Sequence, residues 1–271
     1  MKALTPVLVM LAVVATCSAA NAQTAIQIDF VPNSPTGFSP VSAVFHDGSF
    51  NSFSSGTNLS GSGLELLAET GDNSQYLGEA ASSANTGTNG ANLAPGESTS
   101  FVVNVDDSNT QFNFASMVLF SSDWFVGNAG TLDVSSLLGA DAGTSLAFDL
   151  TNVYDAGTET EDFTGVGGSG FFPFSTSGSL GVDIPDGAVS LLDRSTNPYL
   201  DFTNTENLDL NGFDVTSLDA FTAASLGTLS LTVVSTAVPE PSALIALTLG
   251  CLLYTSPSPR DLSTSRMPSS A

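Results

Sequence analysis

The chain has 271 residues, with 27 acidic side chains against four Lys or Arg and a formal net charge of −23 at pH 7. Between residues 23 and 237 the only Lys or Arg is Arg194. Most carboxylates there lack an ion-pair partner and must be solvated, screened by salt or neutralised by bound cations. Nucleic-acid binding by phosphate neutralisation is excluded, and an anionic membrane surface would repel the protein.

Lys2, the apolar run from Pro6 to Ala15, and Ala20-Asn21-Ala22 form the three regions of a secretory signal peptide. They predict a leader over residues 1–22, cleaved before Gln23. Thr16 makes a poor lipidation site of Cys17. Cys17 and Cys251 are the only cysteines, and both fall outside residues 23–237. No disulfide framework is expected there, so stability must come from packing, with bound metal as an optional addition.

Residues 23–237 suit one domain with a sizeable core. Ile26 to Phe30 alternates apolar and polar residues, as a half-buried strand does. Gly63 to Thr70 is the one stretch with helical spacing, about two turns long. Asn73 to Gly96 is rich in Gly, Ser and Asn and is predicted to be a long surface loop, with a turn at Pro95-Gly96-Glu97-Ser98. Val- and Phe-rich strands are predicted over Ser98 to Val105 and Gln111 to Phe120. Further strands are predicted over Ser145 to Val153, Tyr199 to Phe202 and Leu229 to Thr236. Gly165 to Gly181 is predicted to be a second long loop. The pattern predicts an all-β protein, an antiparallel β-sandwich with one or two short helices.

Two short motifs bear on chemistry. Asp155-Ala156-Gly157-Thr158-Glu159 places two acids four apart around a glycine that permits a tight turn. Such a loop can aim both carboxylates at one cation, with a backbone carbonyl and an acid from another loop completing the shell. The same acids would otherwise cap turns and face solvent. Asp141-Ala142-Gly143-Thr144-Ser145 lacks the second acid and is expected to be a plain turn. Glu206 to Asp214 departs from the EF-hand spacing and is also expected to be a turn. His46 is the only histidine, and no Gly-x-Ser-x-Gly elbow occurs, so His46 is expected to be structural. A zinc site would need more His or Cys than residues 23–237 hold. Trp124, beside Phe125 and Val126, is expected in the core.

Three segments together resemble the spondin N-terminal domain in its bacterial exported form. They are Val44 to Phe50 with Gly63 to Asp72, Ala115 to Gly127 with its Asp123-Trp124-Phe125-Val126-Gly127, and Tyr154 to Glu159. The resemblance extends over about residues 25 to 237. It implies a C2-like sandwich with a calcium site, whose carboxylate ligands would be Asp123, Asp155 and Glu159. Glu159 stands where animal members carry Asp, one methylene shorter. Phe120-Ser121-Ser122 replaces the family's prolines, which leaves the loop shape open.

Beyond residue 237, Val238-Pro239-Glu240-Pro241-Ser242 and the apolar run Ala243 to Leu253 resemble the start of a PEP-CTERM sorting segment of Gram-negative bacteria. That resemblance implies export, transient anchoring in the inner membrane through this segment alone, and processing by an exosortase. The run is about eleven residues, short of the roughly twenty of a spanning helix. Residues 238–250 are taken as the partial sorting segment. Residues 251–271, polar and Pro/Ser-rich, resemble a translated sequencing adapter or form a disordered tail, and are set aside from fold reasoning.

The expected function is a non-enzymatic, calcium-binding adhesion or matrix module, sorted to the cell surface or exopolysaccharide. Its partner would be extracellular polysaccharide or another matrix or surface ligand. A calcium-dependent carbohydrate-binding module is the alternative. A hydrolase is the third reading, and it lacks a visible catalytic dyad.

Overall fold

The alternation in Ile26 to Phe30 is the inner face of a long strand in the computed structural model, which describes residues 23–34, 36–119, 121–159, 187–195, 222 and 225–237. This strand, β1 (Gln23–Pro32), buries every second residue, including Ile26, Ile28 and Phe30. It lies between β11 (Gly227–Ala237) and β4 (Thr99–Asp106), antiparallel to both, and β8 (Ser145–Asp149) closes the sheet beyond β11. The order of this first sheet is β4-β1-β11-β8.

The second sheet runs β10 (Ser190–Leu191), β9 (Val153–Asp155), β6 (Trp124–Gly127), β5 (Gln111–Met117), β2 (Ser42–His46) and β3 (Ala84–Thr88). The two-residue β7 (Leu132–Asp133) pairs with β5 off this path. Every recorded pairing is antiparallel. Ile28, Phe30, Leu229 and Leu231 of the first sheet share one buried cluster with Phe45, Phe112 and Phe125 of the second. The fold is thus an all-β sandwich, with two short α-helices among the described residues.

β5 is buried from Phe112 to Met117 without alternation, because both of its faces are covered. The helix α1 (Gly63–Thr70) packs on β5 and β6, and a second helix, α2 (Ser74–Ala80), packs on α1, β2 and β3. Ser62 caps α1, accepting a hydrogen bond from the Glu65 N–H at 3.2 Å. Gly71 ends it in the left-handed region, φ 74°. Leu64, Leu67 and Ala68 form its buried stripe.

The polar residues on the covered strands are bonded in place. His46 Nε2 lies 2.9 Å from Asn113 Oδ1, and His46 Nδ1 accepts the Gly48 N–H at 3.1 Å. Nδ1 therefore carries no proton and Nε2 donates to Asn113. Burial lowers the imidazole pKa and keeps the ring neutral. Ser116 Oγ donates to the Ser39 carbonyl at 2.8 Å.

Several expectations meet these elements directly. The helix over Gly63 to Thr70 forms with those bounds. The Asp141 motif is a turn, closed by Thr144 N–H to the Asp141 carbonyl at 3.1 Å. The Pro95 turn closes from Glu97 N–H to the Ala94 carbonyl at 2.9 Å. Trp124 is buried.

Two expectations are corrected. Asn73 to Gly96 is not one long loop, since it contains α2 and β3. Tyr76 and Ala80, four apart, seat α2 in the core, while the small polar residues of β3 hide a paired edge strand. Gly87 in β3 is needed there, because a Cβ would collide with the Val103 side chain. Ser145 to Val153 is likewise not one strand. β8 ends at Asp149 and β9 starts at Val153 in the other sheet, so the chain crosses between layers at Leu150 to Asn152. The leader, the Gly165 to Gly181 loop, the Tyr199 strand, the Glu206 turn, the sorting segment and the tail lie outside the described residues.

Glycines give a direct check on the helix pair. A Cβ at Gly63 would collide with the backbone of Gln75 and Tyr76, whereas one at exposed Gly78 in α2 would meet nothing within 4 Å. Urea denaturation should find Gly63→Ala destabilised by about 1–3 kcal/mol. The same measurement should find Gly78→Ala stabilised by about 0.5–1 kcal/mol.

Candidate functional site

β6 and β9 pair with Trp124 opposite Asp155. This register brings the residue before β6, Asp123, next to the loop after β9, Asp155 to Glu159. The Ala156 N–H donates to the Asp123 carbonyl at 3.2 Å. On the approach to β6, Ser121 stands in for the absent prolines. Its hydroxyl donates to the Val118 carbonyl at 2.7 Å and accepts the Trp124 N–H at 3.0 Å, which closes the loop.

The Asp123 side chain is fully buried, and its two oxygens differ. Oδ2 accepts the Thr158 N–H at 2.7 Å, the Glu159 N–H at 3.1 Å and the Thr158 hydroxyl at 3.2 Å. Oδ1 is buried with no hydrogen-bond partner among the described residues. An unsatisfied buried carboxylate oxygen carries a desolvation penalty of about 1–3 kcal/mol or more.

Asp155 folds its own loop. Its Oδ1 accepts the Gly157 N–H at 2.7 Å, an Asx turn that needs Gly157 at φ 68°. A Cβ on Gly157 would sit 2.7 Å from the Ala188 carbonyl oxygen, and one on Gly187 would collide with the Gly157 carbonyl. The loop is thus clamped against the segment leading to β10. Burial and the neighbouring Asp123 charge push the Asp155 carboxyl up to about 6. Glu159 is buried beside them.

A fourth acid, Glu69, arrives from the last turn of α1. Burial pushes it up to about 7, helped by the charges of Glu159, Glu65 and Asp123 and opposed by a hydrogen bond with the Thr158 hydroxyl. That hydroxyl donates to Asp123 Oδ2 at 3.2 Å, which ties Glu69 to the same neighbourhood. Glu69 lies within the Gly63 to Asp72 segment, but nothing in its spacing relates it to residues 123 or 158. Only the packing of α1 brings it here.

Asp123, Asp155 and Glu159 are neighbours in the fold. Among the described residues, however, no group of three or more His, Cys, Asp or Glu side chains is gathered to hold a metal ion. The donor chemistry still suits a hard cation. All of the acids offer oxygen, Asp123 Oδ1 is an orphaned buried acceptor, and Asp155 and Glu69 are both raised by burial and by the charge of Asp123. His46 belongs to a different part of the sheet, and both its ring nitrogens are engaged.

A family model described as Spondin_N matches residues 22–164, a span that includes Glu69, Asp123, Asp155 and Glu159. No curated protein matches the chain.

The raised carboxyls give a pH signature. In the folded state Glu69 and Asp155 hold protons up to about 7 and 6, whereas their ordinary values are 4.5 and 3.8. The folded state therefore binds more protons between about pH 4 and 7, and stability falls as pH rises through that window. Chemical denaturation in chelator across pH 4–8 should record the fall, and Glu69→Gln should flatten its upper part.

Proposed function

Because the chain belongs to the spondin N-terminal domain family, we propose that it is a non-enzymatic, calcium-stabilised adhesion or matrix module that is exported from the cell. Family membership supports an extracellular, matrix-type role, and such domains are generally non-catalytic. Among the described residues no helix is long and apolar enough to cross a membrane.

The observation that carries the calcium reading is Asp123 Oδ1, buried without a hydrogen-bond partner among the described residues and flanked by Asp155 and Glu69. Calcium would bind at this oxygen, with Asp155 and Glu159 as further ligands and Glu69 as the additional acid from α1. Backbone carbonyls and water complete such a shell in a site of this type. The ion neutralises carboxylates that otherwise repel one another, and so pins the β9 loop to β6 and α1. Sugar bridging by the ion is disfavoured, since Asp123 is sealed from solvent. Hydrolysis is disfavoured because the single histidine is neutral, buried and fully bonded.

The leader over residues 1–22 and the Pro239-Glu240-Pro241 segment support export through a sorting route with exosortase processing. They favour the cell surface or extracellular polysaccharide as the place of work. In this reading residues 23–237 act as one domain.

Thermal melts in chelator and in calcium, at fixed high salt, test the cation. At a hundredfold excess over Kd, calcium should add about 2.7 kcal/mol. Asp155→Asn keeps the acceptor for the Gly157 N–H and should fold, yet lose most of the calcium shift. An Asp155→Asn protein with the full shift, or a wild type with none, would sink the assignment.

A further inference from the structure

The opposite end of the β6–β9 ladder opens into a cavity of about 300 Å³. Its walls come from Gly127 at the end of β6 with Asn128 and Ala129 beyond it, the crossover Phe148 to Asn152, and Tyr154. At 300 Å³ it sits at the small end of ligand pockets, roughly 300–1,000 Å³, so it suits one ring-sized unit.

Its lining combines two kinds of surface. Phe148, half-buried, supplies an aromatic face, and the buried Tyr154 contributes its hydroxyl-bearing edge. The Tyr154 ring is fixed, stacked on Phe125 at 5.7 Å and edged by Phe53 at 4.8 Å. Polar capacity comes from Asp149, Thr151 and Asn152, all exposed, and from the Tyr154 hydroxyl, which accepts from Asn152 Nδ2 at 3.3 Å and keeps its own hydrogen to donate. Asn128 also lines the cavity but is committed. Its amide donates to the Phe112 and Gly130 carbonyls and its oxygen accepts the Phe114 N–H.

The charge of the cavity selects its ligand. No Lys, Arg or His lines it, and Asp149 is its one acid. Arg194, the sole basic side chain of residues 23–237, donates to the Thr151 carbonyl from outside the lining. With a net charge of −23 the protein repels anions. A ring with one apolar C–H face and several hydroxyls matches one aromatic face, that of Phe148, bordered by a carboxylate, an amide and two hydroxyls. We propose that this cavity binds one sugar ring of a neutral oligosaccharide, without a metal ion. The proposal stands on the cavity alone and does not rest on the cation site at the other end of the ladder.

Calorimetric titration of the full chain with cellotriose, maltotriose, tri-N-acetylchitotriose and trigalacturonate tests it. The titrations are run with and without EDTA at a temperature below the metal-free melt. At least one neutral trisaccharide should bind saturably, equally well in EDTA, and trigalacturonate should not bind. Asn152→Ala and Asp149→Ala should each weaken binding tenfold or more with unchanged melting. Absence of binding by all three neutral sugars would overturn the proposal. So would comparable binding of trigalacturonate, or affinity unchanged in both variants. Sugar binding abolished by EDTA would overturn it too, and would move the sugar to the cation site.

Discussion

The hydrogen bonds to Asp123 Oδ2 hold one end of the second sheet in shape. A carboxylate taken out of water needs donors, and the loop after β9 supplies three of them from two consecutive residues. Those bonds fix where Thr158 and Glu159 lie. The Asx turn at Asp155 and the left-handed Gly157 shape the same loop, and the tight approach of Gly157 to Gly187 locks it. The other oxygen of Asp123 is left with a demand that the described protein atoms do not meet. Structure and proposed ion binding thus draw on the two halves of one side chain.

Two-sided burial of the central strands explains how the remaining acid reaches this point. β5 is covered by the facing sheet on one side and by α1 on the other, so it tolerates no charge along Phe112 to Met117. Its polar residues are uncharged and bonded, as Asn113 and Ser116 are. Charge is displaced to the strand ends and the helix end. There Glu69 meets Thr158, Asp123 and Glu159, in a setting where burial raises a carboxyl well above its ordinary range.

Where periodicity and burial coincide, the sequence is informative. β1, β4, β11 and α1 each present one apolar face to a single core; β1 was legible as an alternation, α1 as a helical stripe, and β4 and β11 as runs of strand-forming residues. β3 was not, because Ala-Asn-Thr-Gly-Thr has no apolar face at all. Its strand state comes from pairing with β2, and its Gly87 answers to a side chain on another strand. The switch of sheets between Asp149 and Val153 was hidden for the opposite reason, since both halves are apolar enough to read as one strand. In the acid cluster, Asp155 and Glu159 share a short motif and were visible together. Asp123 entered through its Asp-Trp motif. Glu69 belongs to a helix far away in sequence, and its role appears only once α1 is packed.

The pairing of β1 with β11 sets Gln23 directly opposite Ala237. The two ends of the folded unit therefore leave from one corner, side by side. Tension applied between them would open the ladder one rung at a time, as a zipper opens, without loading many rungs at once. A load carried between the Ala237 end and a ligand held in the crossover cavity follows a different path. It runs lengthwise through β11 and β8 and shears several rungs together. A module tethered at that corner and gripping at the cavity would resist pulling far better than one stretched by its two ends.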